Sequence, residues 1–204
     1  MIVYVARHGK TDENERDLMT GQSDNARLVE EGRQHALNLA DFLDGKGVEV
    51  IFSSPLTRAI DTTKPVSDRL KIPTQPDKRL MEMDFGTCDG KTREESMIHV
   101  RRRERDLSYR FPGGESYEDV LARVDSFLND LYSKRLRTVL LMGHGGVNRA
   151  VLARLTQVVI IEPKRLTKIG INNSVVHRIN TMTAECSWYD TITRDSSEGL
   201  LYSV

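Results

Sequence analysis

The sequence predicts an α/β fold, a doubly wound and mostly parallel sheet with helices on both faces and a small helical cap segment. Short apolar runs typical of buried strands alternate with longer stretches whose apolar residues recur at helical spacing. Two of these runs, residues 2–6 and 139–142, each lead one residue later into a histidine followed by glycine. We therefore expect His8 and His144 side by side at the carboxyl edge of the sheet, where open α/β sheets bind ligands.

The remaining elements follow in chain order. Strands are predicted at residues 2–6, 50–53, 139–142, 175–179 and, from a weaker pattern, 184–188. Helices are predicted at residues 30–45, 56–70, 115–134 and 147–155. Pro55 suits the first residue of the second helix, and Pro65 should kink or shorten that helix, because proline removes a backbone donor.

The length of 204 residues fits one domain with a sizeable core, so residues 1–204 are predicted to form a single domain. The segment 81–112 is polar and contains three consecutive arginines at 101–103. It is predicted to form a cap or insertion over the ligand-binding edge of the sheet rather than a second domain.

The composition limits the partners. The net charge of +0 favours no bulk binding to nucleic acid or to an anionic membrane. No apolar run reaches the roughly 18 residues of a membrane span, and the N-terminus enters a strand at once instead of a signal segment. Two cysteines form neither a disulfide framework nor a zinc pattern. We expect a cytoplasmic protein, and the sequence leaves open whether it is a homodimer.

The first chemical motif is Arg7-His8-Gly9. A neutral imidazole is a good nucleophile toward phosphorus, an adjacent arginine can neutralise phosphate oxygens with a bidentate fork, and glycine lets the backbone turn closely around an anion. The alternative is a histidine that merely caps the strand. For a bare tripeptide the two interpretations have about equal weight.

Two further segments also favour an anion. Residues 53–58 lead from a strand into the first turn of a helix, where Arg58 adds a full charge to a helix N-terminus. Residues 143–146 form a glycine-rich turn around His144. The alternatives are a solvated surface arginine and a tight turn that needs its glycines.

Glu82 lies between Met81 and Met83, and a carboxyl group in apolar surroundings could keep its proton and act as a general acid. The alternative is an acid on a surface loop. Two histidines with carboxylates could bind a metal, but their spacing matches no zinc pattern and the arginines would repel a cation, so we expect none. His35, His99 and His177 are expected to be surface residues or structural residues whose hydrogen bonds are satisfied.

Taken together, these pieces resemble the histidine phosphatase superfamily, which has the phosphoglycerate mutase-like fold. The match is strong because its pieces occur in order over most of the chain: residues 5–11, Asn14, 21–24, 28–32, 53–59, Glu82, Gly86, 112–116 and 143–145. The resemblance implies a cofactor-independent phosphatase that hydrolyses a small phosphorylated metabolite, such as a sugar phosphate, through a phosphohistidine.

The resemblance also implies roles for individual residues. His8 would be phosphorylated, Arg7, Arg58 and His144 would form the phosphate pocket, and Glu82 would donate the proton. Asn14, Gly21, Gln22 and Ser23 would border the substrate. Within the family, residues 86–92 and 109–119 look most like fructose-2,6-bisphosphatase domains, which adds Arg102, Tyr117, Gly145 and Arg149 as substrate-contact positions.

Two alternatives remain. A phosphoglycerate mutase would use the same residues but return the phosphoryl group to a second hydroxyl. The family's mutases carry a longer insertion after the acid, and only about thirty residues separate Glu82 from Pro112 here, which favours a phosphatase. A non-catalytic protein that binds a phosphorylated ligand would need neither a nucleophile nor an acid, so His8 and Glu82 together argue against it.

Overall fold

In a computed structural model of the chain, which describes residues 1–157, 166 and 168–199, the described strands form one seven-stranded sheet. In chain order the strands are β1 (Ile2–Arg7), β2 (Val50–Ser53), β3 (Thr74–Pro76), β4 (Thr138–Gly143), β5 (Val175–Asn180), β6 (Cys186–Asp190) and β7 (Ser196–Glu198). Their order across the sheet is β3-β2-β4-β1-β5-β6-β7. The predicted α/β fold class is confirmed.

The strands β3, β2, β4 and β1 are all parallel, whereas β5, β6 and β7 extend the sheet by antiparallel pairing. Parallel neighbours need long crossover connections, and helices supply them in the first half of the sheet. Only short turns separate β5 from β6 and β6 from β7, so these strands can pair only as hairpins. The sheet is thus mostly parallel with an antiparallel edge.

The described helices are α1 (Asp12–Glu15), α2 (Glu30–Leu43), α3 (Thr57–Leu70), α4 (Met97–Arg103), α5 (Tyr117–Ser133) and α6 (Gly145–Leu155). Alternate residues of β1 point to opposite faces of the sheet. Val3 and Val5 pack in one core cluster with apolar residues of α5 and α6. Tyr4 and Ala6 pack in another with apolar residues of α2 and α3. Helices on both faces were predicted and are present.

Several predicted bounds were wrong. The second predicted helix begins at Thr57 rather than Leu56, and it continues through Pro65 to Leu70, so it is not shortened. Proline leaves the carbonyl of Asp61 without its usual donor, and because Asp61 is exposed, water can satisfy it. The last predicted helix begins two residues early, at Gly145. The weak strand begins later, at Cys186, because Ala184 adopts a left-handed turn with φ 57°.

The segment 81–112 packs directly onto the main core. It holds a short 3-10 helix (Gly86–Cys88) and α4. Cys88, Val100 and Phe111 are buried in the same cluster as Val3 and Val5 of the central strand. The segment therefore shares its apolar packing with the sheet instead of forming a separate core.

The loop that follows β1 lies in backbone contact with α2. A Cβ atom on Gly9 would collide with the carbonyl oxygen of Gly32, and one on Gly32 would collide with the carbonyl oxygen of Lys10. The backbone N–H of Val29 donates to the same Lys10 oxygen over 3.1 Å. Two glycines thus allow the approach that fixes the loop carrying His8.

This contact predicts the effect of Gly32→Ala. In an ordinary helix the change to alanine stabilises by about 1 kcal/mol. Here the added methyl group has no room, so the variant should lose about 1–3 kcal/mol of unfolding free energy, as overpacked cores do. Urea unfolding followed by circular dichroism measures the change. Gln34→Ala, an exposed position on the same helix, should stay within about 0.5 kcal/mol of the wild type, and a Gly32→Ala variant as stable as the wild type would show that the loop can move away.

Candidate active site

The two histidines expected at the sheet edge lie together there. Arg7 and Gly143 are the last paired residues of β1 and β4, so His8 and His144 leave the sheet side by side. The backbone N–H of His8 donates to the carbonyl oxygen of Gly143 over 3.1 Å. The ring centroids are 5.0 Å apart, and both side chains are buried.

The hydrogen-bond partners of the two rings set opposite tautomers. Nδ1 of His8 lies 2.8 Å from the carbonyl oxygen of Gly9. A carbonyl only accepts, so this nitrogen carries the proton and Nε2 keeps a lone pair. Nδ1 of His144 accepts from Nε of Arg58 over 3.2 Å, so its proton sits on Nε2. That Nε2 has no hydrogen-bond partner among the described residues. A ring with a free lone pair therefore lies beside a ring with an unpartnered N–H.

Both rings are held in the neutral form. Burial lowers the pKa of His8 well below its usual range, and the positive charges of Arg7 and Arg58 lower it further. Burial also lowers the pKa of His144 well below its usual range, assisted first by Arg58. At neutral pH the lone pair of His8 is therefore available.

Arg58 lies behind the two rings, almost wholly buried, in the first turn of α3. Its Nε donates to His144. Its two terminal nitrogens donate to the carbonyl oxygens of Ser23 over 3.0 Å and Gly21 over 2.6 Å. The predicted substrate-bordering loop 21–23 thus holds the fork of Arg58, and Gln22 donates to the backbone carbonyl oxygen of Glu82 over 3.1 Å.

Arg7 and Arg149 present positive charge in front of the rings. Each donates one hydrogen bond to the backbone, Arg7 to Ile171 over 3.1 Å and Arg149 to Ile169 over 2.9 Å. Nε of Arg7 has no partner among the described residues. Burial lowers the pKa of Arg7 to about 10, against the attraction of Glu82, so the guanidinium stays charged at neutral pH.

The carboxylate of Glu82 lies in the site at the N-terminus of α6. Its carboxylate accepts from the backbone N–H groups of Gly146 (2.9 and 3.0 Å), Val147 (3.2 Å) and Met83 (2.8 Å). A Cβ on residue 146 would lie 2.5 Å from Oε1 of Glu82, so any side chain there would displace the carboxylate from this position. The expected apolar surroundings are therefore wrong: the carboxyl group lies among backbone donors at the positive end of a helix dipole.

These groups border a cavity of about 590 Å³. Of the residues predicted for the site, the cavity is lined by Arg7, His8, Asn14, Glu82, Gly145 and Arg149. Arg58, His144 and the loop 21–23 lie immediately behind this wall. The structure does not bring Arg102 or Tyr117 to the cavity: Arg102 is exposed, with its guanidinium 5.8 Å from the ring of Tyr109, and Tyr117 is fully buried.

The segment 81–112 supplies residues that the sequence did not reveal. Phe85, Arg93 and Arg103 line the cavity. Arg103, and not its neighbour Arg102, turns inward, since adjacent residues point about 100° apart on a helix. The arginine run at 101–103 signalled a charged helix, but it could not show which arginine faces the cavity.

Two histidines expected to be surface or satisfied structural residues are neither. His35 is buried against the cavity, and neither ring nitrogen has a hydrogen-bond partner among the described residues. His177 is buried in β5, and its Nε2 likewise has none. His99 fits its expectation, because its Nδ1 lies 2.6 Å from the hydroxyl of Tyr109.

The cavity suits an anion. Its lining carries the cationic side chains of Arg7, Lys10, Arg93, Arg103 and Arg149 against the acids Asp17, Glu31 and Glu82. Lys10 is already paired with Glu31 at 2.7 Å, so the arginines supply the uncompensated charge. Within the described ranges, no three side chains of metal-binding type gather in one place. No helix in the same part of the chain is long and apolar enough to cross a membrane.

The fold and this edge define a class of proteins with two neutral histidines beside arginines and a carboxylate. The chain belongs to the histidine phosphatase superfamily (branch 1), whose sequence profile matches residues 3–189. The family predicted from the sequence is confirmed.

Three relatives illustrate the similarity. The chain is 34% identical over 158 residues to human 6-phosphofructo-2-kinase/fructose-2,6-bisphosphatase 1, covering 74% of this chain but 32% of that protein. It is 30% identical to putative phosphoserine phosphatase 2 of Hydrogenobacter thermophilus, covering 87% and 88% of the two chains. A solved structure of mycobacterial glucosyl-3-phosphoglycerate phosphatase with VO3 matches with a TM-score of 0.80 and 25% identity, covering 100% and 99%.

The buried neutral histidines predict a loss of stability in mild acid. A histidine whose pKa is lower in the folded than in the unfolded chain contributes stability that is complete above the unfolded pKa and declines as the pH falls below it. Burial lowers the pKa of His177 to about 4. Between pH 6.5 and 5 this residue alone should reduce the free energy of unfolding by about 1.5 kcal/mol. Urea unfolding at both pH values should show a smaller decline in His177→Gln than in the wild type, and equal declines would place the acid sensitivity elsewhere.

Proposed function

We propose that this protein is a metal-independent phosphomonoesterase that works through a phosphohistidine. One observation carries the proposal: neutral His8, with its lone pair on Nε2, lines a cavity rich in arginines, and the ring of His144, with its proton on Nε2, packs beside it with 5.0 Å between the ring centroids. A site that only bound phosphate would gain from charged histidines, whereas a nucleophile requires the neutral form.

In the first step, Nε2 of His8 attacks phosphorus in line, and the bond between phosphorus and the leaving oxygen breaks. Arg7 and the Nε2–H of His144 stabilise the charge on the phosphoryl oxygens. Glu82, which must first take up a proton against the backbone N–H groups that favour its carboxylate, gives that proton to the leaving alcohol. In the second step, the Glu82 carboxylate takes a proton from water, the water oxygen bonds to phosphorus, and the phosphorus–nitrogen bond breaks to restore His8.

The substrate in this proposal is a small phosphorylated metabolite. The cavity of about 590 Å³ suits a small molecule. Asn14, Gly145 and Arg149 border it, and Arg103 takes the role expected of Arg102. The ring of Tyr117 packs against Arg103, whose guanidinium lies 5.4 Å from the ring centroid. Gly21, Gln22 and Ser23 act from behind, through Arg58 and Glu82.

The proposal also covers organisation and setting. Residues 1–204 act as one domain, and residues 81–112 cap the cavity with Phe85, Arg93 and Arg103. Both cysteines are free, which suits a reducing cytoplasm. The oligomeric state is open between monomer and homodimer, and the molecular mass from analytical ultracentrifugation at several protein concentrations would distinguish them.

Replacing His8 tests the proposed chemistry. The wild type should release phosphate from some members of a panel of sugar phosphates, phosphoserine and phosphoglycerates. His8→Ala should lower that rate by at least roughly a thousandfold, because the covalent route is lost. Acid-labile radioactive phosphate should label the wild type and not the variant. Label that persists on His8→Ala would move the nucleophile elsewhere, and conversion of 3- to 2-phosphoglycerate with a bisphosphoglycerate primer, without phosphate release, would establish the mutase alternative.

Replacing Glu82 tests the proton donor. The leaving group of an alkyl phosphate is a strongly basic alkoxide, which needs a proton as it departs. The leaving group of nitrophenyl phosphate is a stable phenolate, which hardly needs one. Glu82→Gln should lose about a hundred- to ten-thousandfold on a sugar phosphate, the usual contribution of general acid catalysis, and much less on the nitrophenyl ester. Glu31→Gln, another acid at the cavity, should affect both substrates alike. Equal losses on both substrates in Glu82→Gln would mean that Glu82 only shapes the pocket.

A further inference from the structure

The carboxylate of Asp89 holds the loop 21–23 from the side of the segment 81–112. Its Oδ1 accepts from the backbone N–H of Gly21 over 2.9 Å and from the hydroxyl of Ser23 over 3.3 Å. Its Oδ2 accepts from the backbone N–H of Ser23 over 3.1 Å. Asp89 is half-buried, and its two oxygens thus bind three donors within three consecutive residues.

The same two residues face Arg58 with their carbonyl oxygens. The terminal nitrogens of Arg58 donate to Ser23 over 3.0 Å and to Gly21 over 2.6 Å. The loop therefore turns its N–H groups toward one carboxylate and its carbonyl groups toward one guanidinium.

The next residue ties the far end of this loop to the helix that carries Arg58. Asp24 accepts from the backbone N–H and the hydroxyl of Thr57, each over 2.7 Å, at the start of α3. The loop is thus held by Asp89 at both Gly21 and Ser23, and the helix holds the next residue, Asp24. With both ends fixed, the direction of the Arg58 side chain is fixed as well.

We propose that Asp89 is a positioning residue, which holds the loop 21–23 so that Arg58 donates to Nδ1 of His144 and keeps the proton of His144 on Nε2. The chain of contacts runs from the carboxylate of Asp89 through the backbone of Gly21 and Ser23 to Arg58 and then to His144. Asp89 neither lines the cavity nor touches the reacting atoms. Its effect on rate rests on the proposed phosphatase function, whereas its effect on the His144 tautomer does not.

Asp89→Asn is a suitable test because the surrounding backbone pairing does not depend on the carboxylate. The backbone N–H of Met19 donates to the Lys91 oxygen and that of Gly90 to the Met19 oxygen, each over 2.8 Å. An asparagine amide nitrogen cannot accept from an N–H, so the variant loses at least one of the three bonds. Asp106→Asn is the matched control, because Asp106 lies in the same segment and accepts from the backbone N–H and the hydroxyl of Ser108 without any link to Arg58.

Two readouts decide the question. In nitrogen-15 spectra of histidine-labelled protein at neutral pH, the wild type and Asp106→Asn should show His144 protonated on Nε2 alone, whereas Asp89→Asn should show a mixture of tautomers. In a phosphate-release assay, kcat/KM of Asp89→Asn should fall by about ten- to a hundredfold, the scale of a small misplacement in a catalytic site. In an Arg58→Lys background the same substitution should have little further effect.

An unchanged His144 spectrum in folded Asp89→Asn would overturn the proposal. An additive loss of rate in the Arg58→Lys background would overturn it as well, because Asp89 would then act by another route. If Asp89→Asn does not fold, Asp89→Glu displaces the loop with its longer side chain, and the same spectrum decides. A wild type that releases no phosphate but shows the predicted tautomer change would reject the proposed function and keep the positioning role.

Discussion

The parallel, in-register pairing of β1 with β4 is the constraint on which the site depends. It runs from Ile2 opposite Thr138 to Arg7 opposite Gly143, so the residues that follow must leave the sheet together. A slip of one residue would turn every side chain of β1 to the other face and would separate the histidines. Buried apolar side chains of different size on the two faces of these strands make such a slip costly. The core therefore sets the distance between the two catalytic candidates.

Around this pair of histidines, backbone N–H and carbonyl groups orient the functional side chains, a role that other side chains often have. A carbonyl at residue 9 sets the tautomer of His8, carbonyls at residues 21 and 23 hold Arg58, and N–H groups at the start of α6 hold Glu82. Backbone groups move little once the fold is formed, so they preorganise the charges before a ligand arrives. The site is rigid because it is built into turns that the sheet itself anchors.

The sequence predicted those features that follow from local pattern. The apolar runs located the central strands, and glycine after each histidine located the edge. It missed β3 and β7, whose three residues each are too short to show a pattern, and α1, which has only four residues. It predicted helix in the segment 81–112 but not the bounds of α4. It also could not distinguish Arg103 from Arg102, because that choice depends on which face of α4 meets the core. The surroundings of Glu82 were wrong because its carboxylate accepts from backbone N–H groups, two of them at the start of the distant α6, instead of lying against the methionine side chains.

The antiparallel edge has a consequence for how such a chain can diverge. Ser174, just before β5, and Ile192, in the turn between β6 and β7, also line the cavity. Hairpin turns tolerate insertion and sequence change far better than a central parallel strand. Insertions or substitutions in this turn can thus change the width, depth or charge of the cavity entrance while β1 and β4 stay unaltered. One scaffold could in this way acquire new ligand preferences over evolutionary time without rebuilding its chemistry.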